Sequence, residues 1–225
     1  MSPPNGDALS PVASAIRALT DRPATEFEIV QFRRYLNLLL KWNRVHRLTG
    51  VRSASGIVNA LFVDSLLFLT WLPARSMDVV DVGTGPGIPG IPLKLVRPDI
   101  ALTLIEAKRK RVSFLAGLTR ELKLPDVRVL EGRAEDLTER EGSLREAFDV
   151  VLSRATGVDA VQTAIQYLRP GGVSILGGAA SGSHPSTSLA TARLKKEIQV
   201  RLEFREFPRL ALRRAFVVVR RLNAP

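Results

Sequence analysis

The sequence predicts an α/β protein with a doubly wound, mostly parallel sheet of seven strands and a helical extension on its N-terminal side. Two observations lead to this fold. From residue 77 onward, short apolar segments alternate with helical stretches, which is typical of parallel strands joined by helical crossovers. In addition, the glycine-rich run Asp81-Val-Gly-Thr-Gly-Pro-Gly87 follows the first of these segments directly. A strand, a glycine turn and a helix in that order are typical of the first crossover in such a sheet.

Seven apolar segments are predicted strands. They cover residues 77–82, 101–105, 127–130, 148–152, 172–176, 201–207 and 213–220. Helices are predicted over 89–95, 108–122, part of 134–146 and 158–168. The last two strands have no long crossover between them, so they must be antiparallel. The parallel sheet should therefore end in an antiparallel hairpin.

Three helical patterns precede the sheet, over residues 9–19, 27–45 and 57–71, and Pro73 closes the third. Residues 1–8 contain two prolines and a glycine and predict a disordered start. The Gly, Ser and Ala-rich residues 177–188 predict a mobile loop, followed by a helix over 189–198. We therefore divide the chain into the start 1–8, a helical extension 9–73 and a sheet domain 74–225.

The chain is strongly basic. Its 33 Lys and Arg residues against 22 Asp and Glu residues give a net charge of +11. Such an excess favours a polyanionic partner such as nucleic acid, because cationic side chains that neutralise phosphates release counterions. The alternative is an arginine-rich surface that is merely solvated.

Composition also narrows the class of protein. The sequence has no cysteine and two histidines, which argues against a disulfide framework and a thiolate metal site, and we expect no metal. No apolar run approaches the ~18 residues of a membrane span, and the first thirty residues lack the pattern of a signal peptide. We expect a cytoplasmic protein with no membrane partner, and we favour a monomer.

The prolines of the glycine run narrow the choice of ligand. Gly85-x-Gly87-x-x-Gly90 also fits the dinucleotide fingerprint, which would make the protein an NAD-dependent oxidoreductase. A pyrophosphate, however, is held by backbone N–H groups at a helix N-terminus, and Pro86 and Pro89 each lack one. S-adenosylmethionine (SAM) carries no phosphate, and we favour it over NAD.

Three acidic residues follow or end predicted strands and are candidate contacts for SAM. Asp81 stands just before the glycines and could face the cationic end of SAM, or it could simply form the turn. Glu106 ends the second strand, where a carboxylate can accept hydrogen bonds from both ribose hydroxyls. Glu135 follows the third strand, where an adenine edge would lie, although it could equally cap a helix.

A basic run, Lys108-Arg109-Lys110-Arg111, begins a predicted helix. The helix dipole disfavours cations at this end by roughly 0.3–1 kcal/mol each, so we expect a compensating anion such as RNA phosphate. The alternative is a solvated helix end that salt screens. Trp42, Arg44 and Arg47 could extend this RNA surface, although tryptophan at such a position is more often in the core.

With these residues in view, the sequence resembles the RsmG (GidB) family of bacterial 16S rRNA guanine-N(7) methyltransferases. The resemblance covers roughly residues 30–220, and its most specific part is the proline-containing glycine run from Asp81 to Leu93. It extends through Leu48-Thr49, Val63-Asp64-Ser65-Leu66, Glu106 to Leu115, Gly132-Arg-Ala-Glu135, Ser153-Arg-Ala155, Pro170-Gly171-Gly172 and Phe216-Val217-Val218.

The resemblance implies a Rossmann-like SAM methyltransferase that acts on ribosomal RNA or the 30S subunit. It implies that Arg154 borders both cofactor and target and is the catalytic residue. The predicted cofactor-binding residues are Asp81, Gly83, Gly85, Gly87, Ile88, Glu106, Ala107, Ala134, Glu135 and Arg154. The predicted RNA-binding residues are Lys108, Arg109, Lys110, Arg111, Arg133 and Arg214.

The sequence departs from the family pattern at three places, one of them a pair of residues. Ala60 and Leu61 stand where the family has Arg-His, Gly177 replaces a lysine that precedes a glycine at the end of the fifth strand, and Ala215 replaces a histidine. All of these lost polar groups are expected to face substrate rather than SAM. A divergent paralogue with another substrate, or a SAM-binding RNA protein without catalysis, therefore remain alternatives.

Methylation of guanine N(7) does not require a catalytic base, and the sequence offers no convincing candidate for one. N(7) is an exposed acceptor, so it needs no deprotonation before it attacks a methyl sulfonium, and the protein mainly has to align the reactants. The sequence contains no convincing Ser/His/Asp set or pair of catalytic carboxylates. We expect His46 and His184 to be solvated rather than basic catalysts.

Overall fold

The sheet is the frame of the molecule. We analysed a computed structural model of the chain, and the structure describes residues 8–154, 158–177 and 197–223. Seven strands lie in the order β3-β2-β1-β4-β5-β7-β6. Their bounds are β1 Asp78–Val82, β2 Ala101–Glu106, β3 Val127–Glu131, β4 Phe148–Ser153, β5 Leu168–Gly177, β6 Ile198–Phe207 and β7 Leu212–Arg221. The predicted fold class is confirmed.

The strands pair as the connections between them require. The first five are parallel, while β7 runs antiparallel to both β5 and β6. Strand β1 lies between β2 and β4, where Val79 is in register with Leu102 on one side and Val150 on the other. The order of the strands reverses at this point, and the carboxyl ends of strands at such a switch point are where open α/β sheets bind ligands.

Helices cover both faces of the sheet. The N-terminal part contains α1 Ser10–Thr20, α2 Glu26–His46, α3 Ala54–Ile57, a π turn Val58–Val63, α4 Asp64–Leu66 and a 3-10 turn Leu67–Trp71. The later helices are α5 Gly90–Val96, α6 Arg109–Glu121, α7 Ala134–Arg140 and α8 Val158–Tyr167, with 3-10 turns at Gly142–Leu144 and Pro208–Leu210.

Two hydrophobic layers enclose the sheet. On one face, α1 to α6 share a single cluster that contains Phe32, Phe114 and Phe216. On the other face, α7 and α8 pack a second cluster around Val151 and Tyr167. Because the N-terminal helices lie in the same cluster as α5 and α6, they are close to the loop that connects β1 to α5.

Some predicted boundaries differ from the structure. The helix predicted over 57–71 begins at Ala54 and includes a π turn, and the helix within 134–146 ends at Arg140. Glu197 lies in a turn and strand β6 begins at Ile198, which corrects the last two residues of the helix predicted over 189–198. The remainder of that helix, most of the mobile loop, His184, Ala155 and nearly all of the disordered start lie outside the described residues.

One expectation from composition was too strict. The helical stretch Ala54–Trp71 is long and apolar enough, by length and composition alone, to cross a membrane, and half of it is buried inside the protein. Counting uninterrupted apolar runs overlooks this stretch because Asn59 and Asp64 break it. Its aromatic residues pack in the core: Phe62 lies 4.8 Å from the ring of Tyr35. These contacts are those of a core helix.

Candidate functional site

The N–H groups of the glycine loop after β1 all donate hydrogen bonds within the protein. Gly83 and Thr84 donate to the Ile105 carbonyl at 3.0 and 3.1 Å. Further along, Gly87 and Ile88 donate to Thr84 and Ile91 donates to Gly87, while the N–H groups of Gly85 and Gly90 donate to carboxylates. Since Pro86 and Pro89 have no N–H, residues 83–91 retain no backbone donor for a phosphate.

The glycines of the loop face opposite sides. Gly83 has φ +68° and no heavy atom within 4 Å of the place where a Cβ would stand. Gly85 has φ +61°, and its nearest neighbour there is Arg111 Nη1 at 4.0 Å. The loop therefore leaves open space above these two glycines, and a ligand could approach the backbone closely there.

Gly87 faces away from the open side of the loop. Its φ is +102°, and a Cβ would stand 2.8 Å from Ile91 and 3.0 Å from the Tyr35 hydroxyl. This glycine faces the core beneath the loop, so packing leaves no room for a side chain there, and its contact with SAM stays a prediction. Ile88, which we also predicted at the pocket, is buried in the core cluster.

Asp81 also lies beneath the loop, not on its open side. Its side chain is 0% exposed, and Oδ2 accepts hydrogen bonds from Thr84 Oγ1 at 2.6 Å and from the Gly90 N–H at 2.8 Å. In the structure Asp81 therefore shapes the turn, and its contact with the cationic end of SAM stays a prediction. Burial raises the pKa of Asp81 to about 7, against the opposing effect of these two hydrogen bonds.

Glu106 ties the glycine loop to the start of α6. This residue ends β2 and is 4% exposed. Its Oε2 accepts from the Gly85 N–H at 2.9 Å, and its Oε1 accepts from the Lys108 N–H at 2.8 Å. Arg111 Nη1 lies 3.3 Å from Oε2. The carboxylate is thus held at the edge of the open space, where we predicted a ribose contact.

Arg111 differs from the other cations of its run. Besides Glu106, it donates through Nε to the Leu48 carbonyl at 3.1 Å, whereas Lys108, Arg109 and Lys110 are exposed. We expected an external anion to offset the positive charges at the start of α6. The Glu106 carboxylate lies at this end of the helix and offsets part of that charge itself. Three cations of the run are exposed, and contact of Arg111 with RNA stays a prediction.

The N-terminal helices support the loop from below. The Tyr35 hydroxyl, on α2, donates to the Pro86 carbonyl at 2.6 Å and is fully buried. Asn43 accepts from the Thr49 N–H and donates to the Val51 carbonyl, both at 2.9 Å, which fixes the segment that carries Leu48. We had not predicted Tyr35; its only sign in the sequence is a hydroxyl on the apolar face of α2.

The predicted adenine contacts lie after β3. Ala134 is buried, and its carbonyl accepts from the Tyr167 hydroxyl at 2.6 Å. Glu135 is exposed, with Thr163 Oγ1 3.4 Å from its Oε1. Arg133 precedes them as the N-cap of α7 and is exposed, as is Ala107 after β2. Tyr167 was not predicted, and nothing local in the sequence distinguishes it from a core tyrosine.

Arg154 lies at the end of β4 within an ionic cluster. Its Nη2 is 3.7 Å from Asp64 Oδ2, and its Nη1 donates to the Ala60 carbonyl at 3.2 Å. Arg214 Nη2, from β7, donates to Asp64 Oδ1 at 2.9 Å. Arg214 was predicted to contact RNA, but the structure pairs it with Asp64 and leaves its side chain 13% exposed.

Exposed cations form a basic rim around this edge of the sheet. We define the basic rim as Arg44, Arg47, Arg52, Lys108, Arg109 and Lys110, all of which are exposed. One part of the rim follows or ends α2, and the other part lies at the start of α6. Trp42 lies between them, since the centre of its ring is 5.7 Å from that of Phe114 on α6 and 5.2 Å from that of His46 on α2. Within the part of the chain that the structure describes, no cluster of His, Asp or Glu residues suits a metal ion.

Comparison with known proteins places this arrangement in a family. The family model of rRNA small subunit methyltransferase G (GidB) matches residues 28–203. The chain belongs to this family. Its relatives include the Ribosomal RNA small subunit methyltransferase G of Caldanaerobacter subterraneus subsp. tengcongensis, 38% identical over 149 residues, which are 65% of this chain and 62% of the relative.

Other relatives support the same family. A protein named Ribosomal RNA small subunit methyltransferase G 1, from Syntrophobacter fumaroxidans, is 39% identical over 71% of this chain and 72% of its own length. The matched part spans less than two thirds of several relatives, including 62% of the Clostridium botulinum protein. The predicted family is confirmed.

Solved structures show the same fold at low sequence identity. A putative O-methyltransferase from Klebsiella pneumoniae aligns with a TM-score of 0.56 at 17% identity, over 97% of this chain and 99% of that one. A putative S-adenosyl-L-methionine-dependent methyltransferase from Methanococcus maripaludis aligns with a TM-score of 0.55 at 9% identity, over 91% and 98%.

The buried carboxyl group of Asp81 predicts a pH effect on stability. Its pKa rises from 3.8 to about 7 on folding. Between these values the folded chain holds a proton that the unfolded chain has lost, so this group lowers the free energy of unfolding as pH rises through the window. The effect is of order 1 kcal/mol per pH unit. Asp81→Asn keeps an acceptor for Thr84 and Gly90 but cannot ionise.

Urea unfolding at intervals between pH 4 and 8 measures this effect. The free energy of unfolding of the Asp81→Asn variant minus that of the wild-type chain should increase as pH rises from 4 to 7. This difference should level off above pH 7. A difference that does not change with pH would show that Asp81 titrates near its ordinary value.

Proposed function

We propose that this chain transfers a methyl group from SAM to RNA, and that its target is guanine N(7) of small-subunit (16S) ribosomal RNA. The observation that carries the proposal is the glycine loop at the switch point of the sheet. Its open face lies beside Glu106, and its backbone offers no donor to a phosphate. Membership of the rRNA small subunit methyltransferase G family supports the substrate.

The residues of the site fit SAM. Gly83 and Gly85 leave room for a ligand against the backbone, where a Cβ would stand in the way. Glu106 would hold the ribose, Ala107, Ala134 and Glu135 would border the adenine, and Arg154 would border the methyl-bearing end. Bound SAM supplies an electrophilic methyl group on a sulfonium.

Ribose binding would change the contacts of Glu106. A carboxylate has about four acceptor positions, and three neighbours already occupy this one: the N–H groups of Gly85 and Lys108, and Arg111. The 3.3 Å contact with Arg111 is the longest of them. We therefore expect Arg111 to give way to a ribose hydroxyl while the two backbone donors keep the carboxylate in place.

The chain does not have to remove a proton from the nucleophile. N(7) of guanine has a free lone pair, so the residues around Arg154 would hold the base in line with the methyl group and stabilise charge as it moves. Arg154 would act as a fixed cation, because a guanidinium does not lose its proton at ordinary pH.

The basic rim and Arg133 would hold the RNA backbone. The rim borders the glycine loop through Arg111 and Leu48, and its exposed guanidinium and ammonium groups suit phosphate. With the net charge of +11, this surface supports ribosomal RNA or the 30S subunit as the partner. We place the protein in the cytoplasm and expect a monomer.

The departures from the family pattern favour one alternative. Ala60 contacts Arg154 through its carbonyl, Gly177 is in register with Phe216 and Ala215 adjoins Arg214. These replacements therefore surround the ionic cluster and leave the glycine loop untouched. A SAM-binding protein that contacts RNA without methylating it, or that methylates another RNA, is the second candidate.

The role of Glu106 predicts a loss of SAM affinity. Glu106→Ala removes the ribose acceptor and the acceptor of the Gly85 N–H, and Asp81→Ala removes the two hydrogen bonds that shape the turn. Each should weaken SAM binding at least tenfold, or ~1.4 kcal/mol, in calorimetric titration. Glu121→Ala, at an exposed carboxylate near the end of α6, is the matched control. Unchanged affinity in both test variants would place the pocket elsewhere.

Methyl transfer tests the activity itself. Purified chain is incubated with SAM labelled in the methyl group and, separately, with naked 16S rRNA, 30S subunits and an unrelated RNA. We expect label in one of the first two substrates, and at guanine N(7) when the product is digested to nucleosides. A folded, SAM-binding sample that labels none of them would favour the binding protein without catalysis.

A further inference from the structure

Asp64 is a buried carboxylate between two arginines that lie far from it in sequence. The residue is 3% exposed. Its two oxygens face different partners: Oδ1 accepts from Arg214 Nη2 at 2.9 Å, and Oδ2 lies 3.7 Å from Arg154 Nη2. One arginine directly follows β4 and the other lies on β7, so Asp64 links the N-terminal helices to two strands of the sheet.

The π turn Val58–Val63 shapes the Asp64 region. The Asp64 N–H donates to the Asn59 carbonyl, five residues earlier. The carbonyl of Ala60, within the same turn, accepts from Arg154. One irregular turn thus presents both a carbonyl and a carboxylate to Arg154, and π turns within α-helices are frequent at functional sites.

Arg154 also lies near the cofactor loop. It follows β4 two residues after Leu152, which is in register with Asp81 on β1. Burial lowers the pKa of Arg154 and is the largest influence on it. The negative charges of Asp64 and Asp81 act in the opposite direction and raise this pKa. Arg214 opposes them as a like charge. Asp64 therefore separates two guanidinium groups that would otherwise repel each other in a partly buried site.

We propose that Asp64 is a positioning residue: it holds Arg154 toward the glycine loop and keeps Arg214 beside it, so that both arginines are preorganised for the target. The proposal deepens the function proposed above and rests on it for its catalytic meaning. A buried ion pair that only stabilises the fold would hold the same residues together, so the experiment must separate position from stability.

Arginine reactivity tests the position without any assay of activity. Phenylglyoxal reacts with accessible guanidinium groups, and peptide mass spectrometry follows each arginine separately. In Asp64→Asn, which has nearly the same shape as wild type, Arg154 and Arg214 should react at least threefold faster. Arg221 is the matched control: its side chain is also 13% exposed and pairs with Glu146 at the other end of β7. Equal rates for Arg154 and Arg214 in the two proteins, or a rise that Arg221 shares, would overturn the proposal.

Kinetics test the consequence for methyl transfer. With an RNA that the wild-type chain methylates, Asp64→Asn should lower kcat at least tenfold and leave the Kd for SAM within threefold. The double variant Asp64→Asn/Arg214→Gln removes the repelling charge, so it should recover kcat at least threefold over the single variant, while its KM for RNA is no lower than that of the single variant. A kcat in Asp64→Asn equal to wild type would contradict the proposal, as would a double variant slower than the single one.

The two proposals fail in different ways. If the wild-type chain binds SAM and methylates no RNA, the proposed function is contradicted, while the arginine reactivities still decide whether Asp64 holds its partners. If Asp64→Asn does not fold, Asp64→Glu retains the charge one methylene further out. It should leave Arg221 unchanged and raise the reactivity of Arg154 at least twofold, and unchanged reactivity of Arg154 would count against the proposal.

Discussion

Two buried carboxylates hold the glycine loop, and the rest of the site depends on them. Asp81 accepts the Gly90 N–H from below, and Glu106 accepts the Gly85 N–H from the side. With the remaining loop amides bonded to carbonyls, the loop is a closed structure whose open face consists of Cα atoms rather than N–H groups. Such a surface suits a ligand that needs close approach to the backbone, and it is poorly suited to a pyrophosphate.

The N-terminal helices take part in this arrangement. Tyr35 donates to the loop at Pro86, the Leu48 carbonyl orients Arg111 against Glu106, and Asp64 lies between Arg154 and Arg214. Each contact joins a segment before residue 72 to the carboxyl ends of the strands. The basic rim is built from the same two parts of the chain, so RNA that rests on it would lie next to the loop and the ionic cluster.

The sequence carried enough information to predict the sheet and the loop, because alternating apolar segments and a proline-containing glycine run are local patterns. It did not show which way the loop groups face. Gly83 and Gly87 cannot be told apart from the sequence. In the structure, Gly83 faces open space and Gly87 faces the core. Arg111 belongs to a run of cations, but its partner at Leu48 lies 63 residues away. The position of Asp81 just before the glycines suggested contact with a ligand. The structure buries Asp81 under its own loop, and the sequence alone does not show this packing.

If the glycine loop selects a ligand without phosphates, calorimetric titration of the chain with two ligands will show the difference. The folded chain is titrated with SAM and, in a separate experiment at the same concentrations, with NAD. We expect saturable binding of one SAM per chain and no saturable binding of NAD. Tight binding of NAD without binding of SAM would contradict this expectation.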